Sequence, residues 1–170
     1  SKFSYAYRNK ASCEKDAFSW ACKKEAGMVP DIITGSNVQD VEPICGPAIK
    51  CLAVLSGQGH VLSPLSYVSE LAKVFQNLGG TFIQTDVQDF EKDADKISAV
   101  LTDQGRFECH KIVVTAGIWS KPLMTKLGLN VPLETERGYH VTYKNPSKMP
   151  KNPMMMTTGK FGVTPMTEGL

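Results

Sequence analysis

The sequence has no Cys-x-x-Cys pair, no run of more than two basic residues and no long apolar stretch. Its five cysteines, at positions 13, 22, 45, 51 and 109, are an odd number without metal-ligand spacing. That argues against a disulfide framework and against a standard zinc site, so no metal is expected. Such thiols are expected as buried or half-buried groups in a reducing cytosol. Cys109 and His110 are neighbours, and on a strand they face opposite sides, so they do not grip one metal. The only basic doublet is Lys23-Lys24, and the formal net charge is +2. Nucleic-acid binding draws its affinity from a concentrated positive face, and none is visible. The apolar run from Ile112 to Trp119 is far short of the ~20 residues that span a bilayer. No charged start leads into an apolar segment, so no signal peptide is expected.

Enough remains to build a core. Of 170 residues, 42% are hydrophobic, 14 are Gly and 10 are Pro. This is the composition of a globular domain and lies well below the roughly 25–30% Gly plus Pro of disordered chains. Ser12 reads as the cap of a helix to about Ala26, with Ala17, Phe18, Ala21 and Cys22 as its apolar stripe and Gly27 as its stop. Ser36-x-x-Gln39 matches a capping box for a short helix limited by Pro43. Residues 48–56 read as a strand that turns at Gly57-Gln58-Gly59. The clearest helix follows. Ser63 caps it, Pro64 opens it and Gly79-Gly80 ends it, with Leu65, Val68, Leu71, Ala72, Phe75 and Leu78 on one face.

Strand-like runs follow at 81–90, 97–102, 106–109 and 111–115, with a hairpin signal at Asp103-Gln104-Gly105. After Gly117 comes a helix carrying Trp119, Leu123, Met124 and Leu127. Residues 131–144 read as a long strand, and a shorter one lies near 160–164. Helices and strands mix without the strict alternation of a doubly wound sheet. The expected fold class is therefore α+β, a mixed or antiparallel sheet with flanking helices. The closing strand and turn at 159–165 lead into no polar tail, which reads as a piece of a longer protein.

Two stretches stand out chemically. From Lys111 to Ser120 (KIVVTAGIWS) a hydrophobic strand runs through a small-residue turn into a helix. Such a turn lets backbone N–H groups approach an anion, although a plain connection with a positive-φ Gly has the same look. At Arg137-Gly138-Tyr139-His140 a guanidinium, a phenol and an imidazole flank a Gly, which in a strand often marks close approach of a ligand. Period two places Arg137 and Tyr139 on one face and His140 on the other. The carboxylates at 86, 89, 91, 93 and 95 alternate with lysines and read as a solvated loop. Met154-Met155-Met156 reads as pliable core with no His or Cys near it in sequence. Gly57-x-Gly59 lacks the third Gly and the following helix of a dinucleotide fingerprint, and no GxSxG, P-loop or HExxH occurs.

These pieces in order resemble one family. The series is Val41-Glu42-Pro43, Gly57-Gln58-Gly59, Ser63-Pro64, Gly79-Gly80, Val87, Lys111 to Ser120, Leu127-Gly128, Val131-Pro132-Leu133, Arg137 to His140, and Gly159 to Pro165. It resembles the middle of the FAD-dependent amino-acid oxidoreductases, the group of D-amino-acid dehydrogenase, D-amino-acid oxidase and glycine/sarcosine oxidase. The resemblance implies a substrate domain plus part of an FAD-binding domain. Residues 1–80 would form the helical and strand portion, 81–130 a β-meander with the strand–turn–helix of the FAD-binding domain, and 131–170 truncated substrate-domain strands. The glycine fingerprint that holds the pyrophosphate in this family is expected upstream.

By position, the resemblance gives Val87 a backbone contact with adenine, and puts Thr115, Ala116, Gly117 and Trp119 beside the cofactor. It places Arg137, Gly138, Tyr139 and His140 at the substrate cavity. The family's acidic residue before Pro64 is replaced by Ser63. The implied reaction oxidises the Cα–N bond of an amino acid to an imine with hydride transfer to flavin, and it demands no dedicated acid–base side chain, so no catalytic residue is assigned. The isolated chain would hold FAD poorly. Expected partners are an amino-acid substrate and an electron acceptor, with a cytoplasmic location that includes peripheral association with a membrane. Two alternatives stand: a cofactor-free α+β module that binds a small ligand or a protein, and a flavin hydroxy-acid or glycerol-phosphate dehydrogenase.

Overall fold

The computed structural model describes residues 2–170. In chain order the elements are β1 (Lys2–Tyr7), α1 (Lys10–Lys15), α2 (Ala17–Glu25), β2 (Asp31–Thr34), α3 (Asn37–Val41), β3 (Cys51–Ser56) and α4 (Pro64–Asn77). They continue with β4 (Val87–Asp93), β5 (Lys96–Thr102), β6 (Gly105–Glu108), a 3₁₀ turn (Gly117–Trp119), α5 (Ser120–Lys126), β7 (Met154–Met156) and β8 (Phe161–Val163). The strands form two sheets, antiparallel apart from the β1–β7 pair, with helices beside them. This is the expected α+β class. Among the described residues no helix is long and apolar enough to cross a membrane.

The chain divides into two compact units, Ser1–Leu71 with Val141–Leu170, and Ala72–His140. In the first, the sheet order is β2-β3-β1-β7-β8. β3, paired on both edges by β2 and β1, is apolar on both faces, with Cys51, Leu52, Ala53, Val54 and Leu55 all buried. One face packs Leu52, Val54, Ala6 and Met154 with Val38 of α3. The other packs Cys51, Ala53, Leu55 and Tyr7 with Cys13 and Trp20 of the first two helices. A strand buried on both sides reads as a continuous hydrophobic run, which is why this one was plain in sequence.

The expected helix from Ser12 to Ala26 is two helices. Asn9 caps the first, its side-chain oxygen accepting the Ser12 N–H at 2.8 Å. Asp16 leaves helical geometry (φ −83°, ψ 29°) and accepts the Tyr7 hydroxyl at 2.8 Å, so a tertiary contact sets the break. The expected stripe is overturned too: Ala17, Phe18, Ala21 and Cys22 are exposed, and Trp20 is the buried residue of α2. The Ser36 capping box does not form, because Ser36 is itself helical (φ −63°, ψ −28°) and its hydroxyl caps nothing. Gln39 donates its amide to the Cys45 carbonyl instead.

The strand expected at 48–56 begins at Cys51, and the one expected at 81–90 begins at Val87. The segments 111–115 and 131–144 form no strand. No ladder partner for 111–115 lies among the described residues, and its Val113 is 83% exposed. In the second segment Pro132 removes a donor, and only Tyr143 makes a strand-like exchange, with Leu170 (2.7 and 3.1 Å). The acidic stretch 86–95 is ordered strand and hairpin rather than loop. Helix α4 starts and stops where its caps place it, with the Ser63 hydroxyl accepting the Ser66 N–H at 3.3 Å, yet none of its residues is buried.

Candidate functional site

All nine expected site residues fall in the unit Ala72–His140. Its sheet order is β4-β5-β6, so β4 keeps one edge open. Val87 opens β4 opposite Thr102, and the register shifts between Val87 and Asp89. A shift of that kind bends the strand and interrupts the ladder beside Val87. The approach to Val87 is held by the β5–β6 turn. Asp103 accepts the Thr85 hydroxyl and the Asp86 N–H (3.1 Å), and Gln104 donates to the Gln84 carbonyl at 2.8 Å. These donors hold the Asp103 carboxyl below the usual carboxylate range. The sequence marked Asp103 and Gln104 as turn formers only. Their grip on 84–86 has no local signature, because it joins residues 17 to 20 apart.

The same sheet carries an exposed ion triad. Arg106 donates to both carboxylate oxygens of Glu91 (2.9 and 2.8 Å) and to Glu108 at 2.7 Å. The guanidinium lowers the Glu91 pKa, and the two carboxylates raise that of Arg106. At this exposure the triad orders the sheet surface more than it stabilises the fold.

The turn Thr115-Ala116-Gly117 leads into α5 as expected. Gly117 has φ +56°, where L side chains are disfavoured, and a Cβ built there meets nothing within 4 Å. The Ala116 N–H is already taken by the Ser120 hydroxyl at 3.1 Å. What the turn offers outward is therefore the bare backbone at Gly117, flanked by the exposed side chains of Val113 and Trp119 (83% and 73%). Helix α5 lies against β4, and Lys121 donates to the Leu133 carbonyl at 3.1 Å and pairs with Glu134 at 3.5 Å. The Val87 strand, the Gly117 turn and the 131–134 segment thus share α5 as a neighbour. Arg137, Gly138, Tyr139 and His140 are all exposed in irregular backbone, so the alternating faces expected for them do not exist here.

A cavity of about 480 Å³ lies elsewhere, in the first unit, lined by Ser36, Cys45, Ile49 and Lys50 among others, and none of the expected residues borders it. The methionine run also gains a neighbour: the Cys45 thiol sits 4.0 Å from the Met154 sulfur, both buried, as part of the core.

The chain matches the family described as "DAO: FAD dependent oxidoreductase" over residues 3–170, and it belongs to that family. It is 29% identical over 166 residues to a D-amino-acid oxidase of Bradyrhizobium diazoefficiens, covering 98% of this chain and 39% of that protein. It is 26% identical to a D-amino acid dehydrogenase of Azorhizobium caulinodans, covering 93% of this chain and 39% of that one. The chain therefore spans about two fifths of the length of these relatives. The fold is also that of glycine oxidase from Bacillus cereus, with a TM-score of 0.70 at 22% identity over 99% of this chain and 46% of that structure.

The donor set suits part of an FAD molecule. Val87, Val113 and Trp119 expose apolar side chains and Gly117 open space at its Cα, a lining compatible with an uncharged portion of the cofactor, whereas no glycine fingerprint for the pyrophosphate occurs in the sequence.

Proposed function

We propose that this chain is the central part of an enzyme that oxidises an amino acid, of the D-series or glycine-like, at its Cα–N bond with FAD. The observation that carries the proposal is the family match across residues 3–170, joined to the uncovered face at Val113, Gly117 and Trp119. Val87, Thr115 and Gly117 would line the cofactor, with Ala116 shaping the turn and Trp119 as an apolar wall. When bound, FAD would supply the oxidising power as a hydride acceptor. Arg137, Tyr139 and His140 would face the substrate, with Gly138 allowing close approach. Residues 1–80 and 131–170 would serve the substrate side and 81–130 the cofactor side. The chain's own task is to orient the substrate and exclude water, since hydride transfer needs position more than proton shuttling. A soluble oxidant or a membrane-bound acceptor would take the electrons, from an enzyme in the cytoplasm.

The test is to express the full-length protein and record its absorption spectrum. A yellow protein that oxidises D-amino acids or glycine, but not 2-hydroxy acids or glycerol phosphate, is the expected result. A folded, colourless product without amine oxidation refutes the proposal.

A further inference from the structure

Glu42 is 1% exposed, yet no cation pairs with its carboxylate among the described residues. Its two oxygens accept the backbone N–H groups of Lys151 (2.9 Å) and Asn152 (3.3 Å), more than a hundred residues away. Just beyond lies β7, three residues long and parallel to β1 with Ser4 opposite Met154. So short a parallel strand has little of its own to set its register. The residues before it, from 144 to 150, form no helix or strand, and they include Pro146 and Pro150. A slip of one residue would turn Met154 and Met156 out of the core and Met155 into it, and β8 pairs directly with β7 (Met154 with Val163, Met156 with Phe161).

We propose that Glu42 is a positioning residue for the substrate side of the enzyme: its buried carboxylate, receiving the Lys151 and Asn152 N–H groups, sets the register at which β7 joins β1. The proposal rests on the reading of 131–170, which includes β7 and β8, as the substrate side. Neighbouring bonds agree with one fixed register. The Asn152 side-chain oxygen accepts the Lys2 N–H at 3.2 Å, the Ser4 N–H donates to the Pro153 carbonyl at 3.1 Å, and Thr157 donates to the Ala6 carbonyl through both N–H (3.1 Å) and hydroxyl (2.7 Å). Of these anchors only Glu42 is charged. It alone receives two consecutive backbone donors, which a regular strand would point to opposite sides.

The experiment uses the full-length, flavin-loaded enzyme with Glu42→Gln and Glu42→Asp. Glutamine keeps the volume but sets an NH₂ against one N–H donor, and aspartate keeps the charge but withdraws it by one methylene. Hydrogen exchange at Lys151, Asn152 and Met154 to Met156 should quicken roughly tenfold or more in Glu42→Gln. KM for the amino acid should rise several-fold with kcat within about twofold and flavin content unchanged, and Glu42→Asp should fall between wild type and Glu42→Gln. Unaltered exchange at Lys151 and Asn152 overturns the proposal. So does a fall in kcat that follows flavin loss at constant KM. A full-length protein that turns over no amino acid refutes the functional reading instead, and the exchange measurement then decides the register alone.

Discussion

Replacing Tyr7 by Phe removes one oxygen from a buried hydrogen-bond chain and should loosen the first unit. The Tyr7 hydroxyl donates to Asp16 at 2.8 Å and accepts the Trp20 indole N–H at 3.0 Å, with Tyr7 3% and Trp20 6% exposed. In Tyr7→Phe the indole N–H is left buried without an acceptor, at a cost of about 1–3 kcal/mol. Asp16 is half-buried and regains water, so its lost bond adds only about 0.5–1 kcal/mol. The expected loss is roughly 1.5–4 kcal/mol. At about 1.4 kcal/mol per factor of ten, β1 and β3 amides that open with the unit should exchange about 10- to 700-fold faster in the full-length protein.

Pairing the change with Trp20→Phe tests the cause. That second substitution removes the orphaned donor, so the double variant should be less perturbed than the sum of the singles by about 1 kcal/mol or more. Strict additivity, or a single-variant change below about 0.5 kcal/mol, refutes the argument. The same network has a pH signature. Burial first, then the hydrogen bond to Asp16, raises the Tyr7 phenol well above its ordinary value near 10. A raised folded pKa gives stability that is complete below the unfolded value and is lost as pH climbs above it. Stability should therefore fall from about pH 10 upward in wild type, and less steeply in Tyr7→Phe.

Four further outcomes are expected. Burial pushes the Cys51 thiol up to about 11 from its ordinary value near 9, so its contribution is intact below pH 9 and declines between 9 and 11; Cys51→Ala should flatten the exchange-versus-pH profile in that window. Gly169 has φ +140°, and a Cβ there would lie 2.3 Å from the Tyr143 carbonyl oxygen, so Gly169→Ala should break the Tyr143–Leu170 exchange and speed tryptic cleavage after Lys144 and Lys148. Gly117→Val costs backbone strain of roughly 1–2 kcal/mol and covers the open backbone, so flavin content per full-length protein should drop; unchanged content removes Gly117 from the site. Val68→Asp on the apolar face of α4, exposed in this chain, should leave the soluble yield of the 170-residue chain unchanged and lower that of the full-length protein, where a covering segment would meet a charge; equal yields refute the covering.

Where an element's burial comes from the strand and helix beside it in this chain, its pattern was readable. β3 is the clearest case, an apolar run that the structure buries on both faces. Local chemistry was readable as well: Ser63-Pro64 and Gly79-Gly80 bound α4, and Asp103-Gln104-Gly105 turns β5 into β6. What escaped was set by distant partners. Asp16 breaks a helix because Tyr7 lies against it, and Glu42 is buried because Lys151 and Asn152 supply its donors. No window of neighbouring residues contains those pairs, so periodicity was bound to miss them.

The failed strand at 111–115 follows from the same logic. Its apolar residues, like the Leu65, Val68, Leu71, Phe75 and Leu78 face of α4, have the composition of buried structure, yet Val113 is 83% and Leu78 82% exposed. Burying one such side chain is worth about 1.5–3 kcal/mol, so leaving so many uncovered is costly for an isolated fold. The apolar patterns of both stretches are those of surfaces that pack against a neighbour. A chain that spans two fifths of its relatives has room for that neighbour elsewhere in the full-length protein. On this argument the exposed face at Val113, Gly117 and Trp119 is where the proposed cofactor contact would be made. A full-length protein that leaves these residues as open to solvent as they are here removes Val113, Gly117 and Trp119 from the proposed site, while the family match over residues 3–170 stands.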